Sequence, residues 1–274
     1  MANYTAADIK EIREITGAGM LDVKKALDEA DGEKAKAIEV IRVKGLKGIA
    51  KREARTASEG LIAVDIRDSE GGRTGTLVEL NCETDFVAKN DKFVALGDEA
   101  VAAAVDSGAE QPEDLSETAF GEALTNAGAT MGEKILVRRI GRVSGEAITS
   151  YMHRTNKDLP PQVGVLVASD AAGAEVARDV AMHIAAFSPA YLTREEVPEE
   201  IVANERRIAQ ETAENENKPE KAIPKIVEGR LNGYYKENVL LDQAFAKDPK
   251  QSVGAVVEAA GGSLSGFVRF RVGG

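Results

Sequence analysis

Apolar residues follow two different periods along this chain, and the change between them near residue 55 constrains the fold more than any other sequence feature. In the first part, apolar side chains recur every three or four residues in three short runs separated by glycine-containing breaks. Thr5 precedes the first run with Asp8 three positions later, a variant of the capping box that begins a helix. These runs predict three helices that form a compact module over residues 1–55. The apolar positions are Ile9, Ile12, Ile15, Val23, Ala26, Leu27, Ala30, Ile38 and Ile41.

From Leu61 the apolar period becomes two, which is typical of a half-buried β-strand. The string DSEGG turns the chain, and TLVELNC supplies the second strand of a predicted hairpin. Two Ala-rich helical segments follow, at about 91–105 and 117–131, and KILVRRI then has the character of another strand. We therefore predict a first core subdomain over residues 56–142.

A similar order of elements recurs further along the chain. One strand is predicted over residues 143–152 and another at QVGVLVAS, followed by a helix from Glu175 to Phe187. A helix at SVGAVVEAA and a strand at GFVRFRV come near the end. This order predicts a second, related subdomain over 143–193 and 237–274. The fold class is therefore α+β, with a two-subdomain core of small antiparallel sheets packed with helices.

A long insertion over residues 194–236 is dense in Glu, Lys, Arg and Asn and makes a poor globular core. It contains two narrow apolar stripes separated by NENKPEK, and Pro198 suits the first turn of a helix. Two helices paired as an antiparallel hairpin would give a protruding arm. The stripe positions are Val197, Ile201 and Ile208, then Ile223, Val227, Leu231 and Tyr234.

The charge of the chain argues against a nucleic-acid partner. The formal net charge is -11 at pH 7, and an acidic surface repels polyanions at long range. Only 4% of the residues are aromatic and none is Trp, which leaves little surface for stacking on bases. A basic protein surface is the better partner. One basic run, interrupted by glycines, has the character of a helix end followed by a solvated linker: Arg42, Lys44, Lys47, Lys51, Arg52 and Arg55.

The sequence predicts a soluble, cytoplasmic protein with no membrane partner. The first residues, MANYTAADIKEIREI, lack the uninterrupted apolar core of a signal peptide, and no stretch of about 18 apolar residues occurs. Cys82 is the only cysteine, so an intramolecular disulfide is impossible and a reducing compartment is the natural setting.

Sequence patterns for catalysis are weak. No phosphate-binding GxxxxGK string occurs, and the glycine-rich GGRTG lies inside the predicted hairpin turn. Cys82, His153 and His183 have no paired spacing that would suit a metal site. Cys82 lies in an apolar strand, which favours a buried small residue over a nucleophile. We predict no metal, no cofactor and no catalytic residue.

The string ELNCETDFVAKN at residues 79–90 is unusual, because a strand passes directly into acidic residues and then Phe86. One interpretation makes Thr84 or Asp85 the N-cap of the next helix, with Phe86 or Val87 packed against the core. The other interpretation is an exposed Phe86 that anchors a partner.

This string and a second one, IREITGAGM followed by LDVKKAL at residues 12–27, resemble the elongation factor Ts family. Further similarity lies in SYMHR, MHIAAFSP, KIVEGRLNGYYKE and GFVRFRV, in the same order along nearly the whole chain. The resemblance implies a UBA-like N-terminal three-helix module, a two-part core and an inserted antiparallel coiled-coil hairpin.

It also implies a function in translation elongation. Members of this family are guanine-nucleotide exchange factors without catalytic residues of their own. They bind elongation factor Tu in its GDP-bound and nucleotide-free forms and promote GDP release by disturbing its Mg²⁺ and phosphate site. By resemblance, Thr84, Asp85, Phe86 and Val87 form the loop that inserts beside that magnesium site, with Phe86 as the wedge.

The resemblance assigns further partner contacts to Arg13, Met20, Leu21 and His153. Leu21 could instead belong to the core of the three-helix module, and His153 could be an ordinary surface histidine. His183 is either a packing residue or a partner contact. Some family members form two-by-two complexes, which would make this chain a homodimer there. Many carry an extra C-terminal helix after the last strand, whose contact we expect to be missing here.

Two other functional classes remain open at this point. A ribosome- or RNA-associated accessory protein would use the basic run and the arm, and its RNA binding would be salt-sensitive and survive loss of Phe86. A thiol or hydrolytic enzyme would lose turnover on substitution of Cys82 or His153.

Overall fold

The computed structural model describes residues 3–48 and 52–274, and it has the mixed α+β composition that the sequence predicts. The first three helices are α1 (Ala6–Thr16), α2 (Met20–Glu29) and α3 (Lys34–Lys47). The capping box is present, because Asp8 N donates to Thr5 Oγ1 at 3.3 Å and Thr5 N donates to the Asp8 carboxylate at 2.7 Å. Most of the predicted apolar positions lie in one core with Ala18 and Ala37, but Ile15 does not, since it is 41% exposed. The predicted positions that are fully buried are Ile12, Val23, Ala26, Leu27, Ala30 and Ile41.

The first sheet is antiparallel and consists of β1 (Glu59–Ser69), β2 (Gly72–Cys82) and β3 (Leu136–Gly145), in that order. The hairpin turns through Glu70 and Gly71, and Gly71 adopts φ +83°, a left-handed conformation that suits glycine. A one-turn helix α4 (Asp85–Ala88), then α5 (Asp91–Ser107) and α6 (Ala119–Met131), follow β2. Their apolar faces pack against the sheet around Phe93, Leu96, Leu80 and Val78.

The second sheet has the strand order β4 (Ala147–His153), β5 (Val163–Ser169) and β8 (Leu264–Arg271), and it is also antiparallel. Helix α7 (Ala174–Phe187) covers one face together with the short helix α10 (Val253–Ala259). A two-stranded ribbon of β6 (Ala244–Phe245) and β7 (Asp248–Ser252) precedes α10.

The predicted strand over residues 143–152 is wrong in its limits. The chain instead divides at Glu146, with residues up to Gly145 paired to the first sheet and residues from Ala147 paired to the second. The apolar alternation continues on both sides of Glu146, so the change of sheet leaves no trace in the hydrophobic pattern.

The two sheets share a core. Ile62 and Leu77 of the first sheet pack against Ile148, Leu166 and Ala168 of the second. The other face of β1 contributes to the helix-covered core, so this strand is buried on both sides. The boundaries of the two subdomains stay predictions. Their two sheets, however, pack against each other through this shared core.

The insertion holds two helices, α8 (Glu199–Asn215) and α9 (Ile223–Asn238), which contact each other. Arg206 pairs with Glu228, and Arg230 pairs with Glu216 at 2.9 Å, as expected when the helices run in opposite directions. Ile208, on the first predicted stripe, is 43% exposed and lies at the edge of the helix pair, where it lines a crevice with Leu231. The buried residues of the pair are small on α8, which lets the helices approach closely, and larger on α9: Ala209 and Ala213, then Val227 and Leu231.

The N-terminal module docks on the first subdomain through a close crossing of α3 and α6. Gly45 lies against the backbone of α6, and a Cβ added there would be 1.9 Å from the Ala129 carbonyl oxygen. The first half of the predicted basic linker is helical, because Arg42 and Lys44 lie inside α3. Lys51 lies outside the described residues. Among the helices described, each is too short or too polar to cross a bilayer.

Candidate functional site

The loop after β2 satisfies both interpretations of its sequence at once. Thr84 is the N-cap of α4, with extended backbone angles and a side-chain oxygen that accepts from Val87 N at 3.4 Å. Val87 is 7% exposed and packs into the first core, whereas Phe86 is 76% exposed. A one-turn helix with one residue turned inward therefore presents its neighbour outward.

The surroundings of Phe86 are charged. Lys89 Nζ lies 5.0 Å from the centroid of the Phe86 ring and 2.9 Å from the carboxylate of Asp85, whose side chain is half-exposed. The exposed ring of Phe86 is an apolar surface that a partner could bury. Asp85 itself is a surface carboxylate whose described bond is to Lys89.

Glu133 anchors this loop, and sequence reasoning missed it. Its carboxylate accepts hydrogen bonds from Glu83 N and Thr84 N, each at 3.0 Å, and from the Thr84 hydroxyl at 2.5 Å. Gly132, in a left-handed conformation with φ +77°, ends α6 and turns the chain so that Glu133 follows at once. The Glu133 carboxylate therefore accepts hydrogen bonds from donors at the end of a strand and the start of a helix.

Glu83, in the loop, binds in return to the segment that carries Glu133. Its carboxylate accepts from Lys134 N at 2.6 Å and lies 3.3 Å from the guanidinium of Arg55. Lys134 Nζ in turn donates to the carbonyl oxygens of Glu53 at 2.6 Å and Arg55 at 3.2 Å. Three chain segments are thus joined at one point, which we call the Glu83–Glu133 node: residues 53–55, 83–84 and 133–134.

The N-terminal module brings further apolar side chains to the neighbourhood of this loop. Lys92, in the first turn of α5, donates from Nζ to the carbonyl oxygen of Ile15. A Cβ added at Gly17 would lie 3.2 Å from Asn90 Nδ2, so the turn between α1 and α2 contacts the start of α5. The described residues in and beside this turn include the exposed large side chains Ile15 at 41%, Met20 at 58% and Leu21 at 72%.

The exposure of Leu21 rules out its alternative assignment as a core residue. Arg13 is exposed on α1. Both residues, with Met20, therefore lie where a partner could reach them without rearrangement of the module.

His153 lies at the end of β4 and is exposed. Its Nδ1 is 3.1 Å from the Tyr151 hydroxyl, and its carbonyl oxygen accepts from Gln162 N at 2.9 Å. Gln162 Nε2 donates to the carbonyl oxygen of Gly60, which pairs with Asn81 near the end of β2. His153 and Thr84 therefore belong to the same end of the two sheets, although no direct contact between them is described.

Cys82 is not suited to catalysis. It is completely buried, and its Sγ donates to the Thr84 carbonyl oxygen at 3.3 Å. Burial, helped by the negative charge of Glu133, raises the pKa of the thiol far above its ordinary value, so the thiolate does not form near neutral pH.

His183 is a packing residue of the second core, in agreement with one of its two predicted roles. Its Nε2 donates to Gln243 Oε1 at 2.8 Å and its Nδ1 accepts from Ala246 N at 3.2 Å, which fixes the neutral tautomer. The ring stacks on Phe187 at 4.6 Å between centroids. Burial lowers the pKa of His183 below its ordinary value. Within residues 3–48 and 52–274, no group of three or more His, Cys, Asp or Glu side chains is arranged to hold a metal ion.

Comparisons with known proteins agree with the resemblance in the sequence. The family model described as Elongation factor TS matches residues 83–274. Elongation factor Ts of Beutenbergia cavernae is 63% identical over 280 residues, and that of Micrococcus luteus is 60% identical over 281 residues. Elongation factor Ts of an Arthrobacter species is 57% identical over 281 residues. In all three, the alignment covers 100% of both chains, so it includes the N-terminal module.

Proposed function

Since this chain belongs to the elongation factor Ts family and is a translation elongation factor, we propose that it is the guanine-nucleotide exchange factor of elongation factor Tu. It binds the GDP-bound and nucleotide-free forms of that GTPase and promotes GDP release by disturbing the Mg²⁺ and phosphate site. In this role it acts as a binding partner, without catalytic residues or a cofactor of its own, and it works in the cytoplasm.

The observation that carries the proposal is the contrast between Phe86 and its neighbours. Phe86 is 76% exposed, while Val87 is buried and Thr84 is bonded to Glu133. A large apolar side chain on a firmly attached turn suits insertion into another protein, because little ordering entropy is lost on binding. Thr84, Asp85, Phe86 and Val87 then form the inserting loop, in which Phe86 is the wedge and the buried Val87 anchors the turn.

Exchange follows from thermodynamic linkage. A partner that fits only the distorted nucleotide site weakens GDP binding by the same factor by which GDP weakens the partner. Burial of one Phe side chain supplies roughly 1.5 to 3 kcal/mol, which is too little to displace a tightly held nucleotide. Further contacts must contribute, and we assign them to Arg13, Met20, Leu21 and His153, all of which are exposed.

Two further structural features and the assembly of this chain are proposed from its family. We assign the three-helix module to the UBA-like class and the α8–α9 pair to the antiparallel coiled coils, in keeping with the pairing of Arg230 with Glu216. A homodimer within a two-by-two complex is the proposed larger assembly.

A nucleotide-release assay tests the function. Elongation factor Tu is loaded with fluorescent GDP, mixed with excess unlabelled GDP and a catalytic amount of this protein, and the fluorescence decay is recorded. We expect the wild type to accelerate release and Phe86→Ala to lose most of that acceleration. No acceleration by the wild type would contradict the proposal.

The matched control is Phe187→Ala, because Phe187 is also an exposed aromatic residue, at 54%, but lies at the end of α7, where it stacks on His183. It should keep the wild-type release rate. Urea unfolding of both variants verifies that they are folded, and equal losses from both would show that Phe86 has no special role.

A further inference from the structure

The Glu83–Glu133 node concentrates polar contacts at the start of the loop, where β2 ends. A single carboxylate, that of Glu133, accepts from two backbone amides and one hydroxyl of residues 83–84. In an isolated loop these donors would turn to water, and the chain would sample many conformations before α4 begins. The node therefore selects one conformation for the residues that precede Phe86.

The other end of the loop is fixed by packing. Val87 and Ala88 are buried in the first core, and Asn90 caps α5 by accepting from Lys92 N at 2.9 Å. Residues 83–86, which precede this buried pair, lack such support from apolar burial. Glu133 thus supplies the attachment that packing does not give.

The node also connects the loop to the N-terminal module. Lys134 binds the carbonyl oxygens of residues 53 and 55, which follow the module in the chain. Helix α6, which leads into Glu133, carries the Ala129 backbone against which Gly45 packs. Phe86 and the turn beside Met20 and Leu21 are therefore both held in place by contacts at the C-terminal end of α6.

We propose that Glu133 is a positioning residue, which holds the loop with Phe86 in its binding conformation before the partner arrives. This inference rests on the proposed exchange function. When only a fraction of the free molecules has the competent loop, the apparent dissociation constant rises in inverse proportion to that fraction. Loss of Glu133 should therefore weaken binding to the GTPase, whereas the release rate at saturation should change little.

Three variants test this. Glu133→Ala removes all three acceptor contacts, and we expect about tenfold weaker binding to nucleotide-free elongation factor Tu. Glu133→Gln keeps one oxygen that can accept from both amides, and the Thr84 hydroxyl can accept from its new NH₂ group, so affinity should largely return. Glu117→Ala, at an exposed glutamate just before α6, is the control and should bind like the wild type.

Three readouts are combined. Binding affinity is measured by titration, and the maximal rate of GDP release is measured at saturating concentrations. Hydrogen exchange of residues 83–88 in the free protein reports on the loop without any partner, and it should be faster in Glu133→Ala but near the wild-type rate in Glu133→Gln.

The outcomes are distinct. Wild-type affinity and wild-type amide protection in Glu133→Ala would overturn the inference, as would a folded Glu133→Gln that is as defective as Glu133→Ala. If the wild type fails to release GDP, the exchange proposal falls, but hydrogen exchange still decides whether Glu133 orders the loop. If Glu133→Ala does not fold, Glu133→Asp keeps the charge but shortens the reach of the carboxylate, and it should show a smaller change in the same direction.

Discussion

Glu79 and Arg139 lie directly opposite each other on β2 and β3, and their side chains form an ion pair at 2.6 Å. Glu79 is completely buried and also accepts from Gly273 N at 3.0 Å. Arg139 donates to the Arg271 carbonyl oxygen at 2.8 Å. The pair therefore attaches the end of β8, in the second sheet, to the middle of the first sheet.

Arg139→Ala should destabilise the protein substantially. It leaves the carboxylate of Glu79 buried without its cation, and such a loss costs about 3–5 kcal/mol for fully buried pairs. Because the Arg139 side chain is 34% exposed, we expect the free energy of unfolding to fall by about 3 kcal/mol, at the lower end of that range. Urea denaturation measures it. Arg138→Ala, at the exposed neighbouring residue, should change stability by less than about 0.5 kcal/mol.

Stability should fall between pH 7.5 and 5.5 because of His183. Its pKa in the folded protein is lowered by burial from the ordinary 6.5, so below that value the unfolded chain binds more protons than the folded one. The stabilisation is complete above pH 6.5 and is lost as the pH falls, by up to about 1.4 kcal/mol per pH unit. Urea denaturation at both pH values is the measurement.

The two histidines of the chain provide the control for this prediction. His183→Gln should be less stable at pH 7.5 but should lose much less stability on acidification. His153→Gln should behave like the wild type, since His153 is exposed. An unchanged pH dependence in His183→Gln would show that other groups cause it.

Gly45→Ala should disturb the docking of the N-terminal module. The new Cβ would lie 1.9 Å from the Ala129 carbonyl oxygen, so α3 and α6 must move apart. We expect faster hydrogen exchange in α3 and in the last turn of α6, and a smaller free energy of unfolding. Gly233→Ala is a matched control, because a Cβ at Gly233 of α9 meets no described atom within 4 Å. That change should stabilise α9 by roughly 0.5–1 kcal/mol.

Leu21→Ala should weaken partner binding without loss of stability. Leu21 is 72% exposed, so its truncation removes little buried surface, and the unfolding free energy should change by less than about 0.5 kcal/mol. Leu27→Ala, on the same helix but completely buried, should instead cost about 2–5 kcal/mol. Titration with elongation factor Tu gives the affinity. Wild-type affinity in Leu21→Ala would remove this residue from the proposed interface.

The secondary structure was largely predictable because its determinants are local. The Thr5–Asp8 capping box and the period-two alternation of the hairpin act over a few residues, and both are present as predicted. The exposure of Phe86 was one of two interpretations that the pattern left open. The pattern could not decide between them, since a cap at Thr84 is compatible with a Phe86 side chain that points into the core or toward solvent.

Other features depend on contacts between distant parts of the chain. Glu133 is 49 residues from Thr84, and their contact depends on how α6 packs on the first sheet. The division of strands at Glu146 depends on which sheet the residues on each side join, and not on whether those residues are apolar or polar. Ile208 belongs to the predicted stripe because it is large and apolar, but the residues that α8 buries fully are Ala209 and Ala213.

The strand order of the second sheet has a consequence for how a newly made chain folds. Its central strand, β5, pairs with β4 immediately, but its second neighbour, β8, is synthesised only after α7, α8, α9 and α10. Val163 pairs with Arg271, a separation that makes this contact slow to form. During translation, one edge of β5 therefore stays open, and a nascent chain is vulnerable to wrong strand pairing until its last segment has emerged.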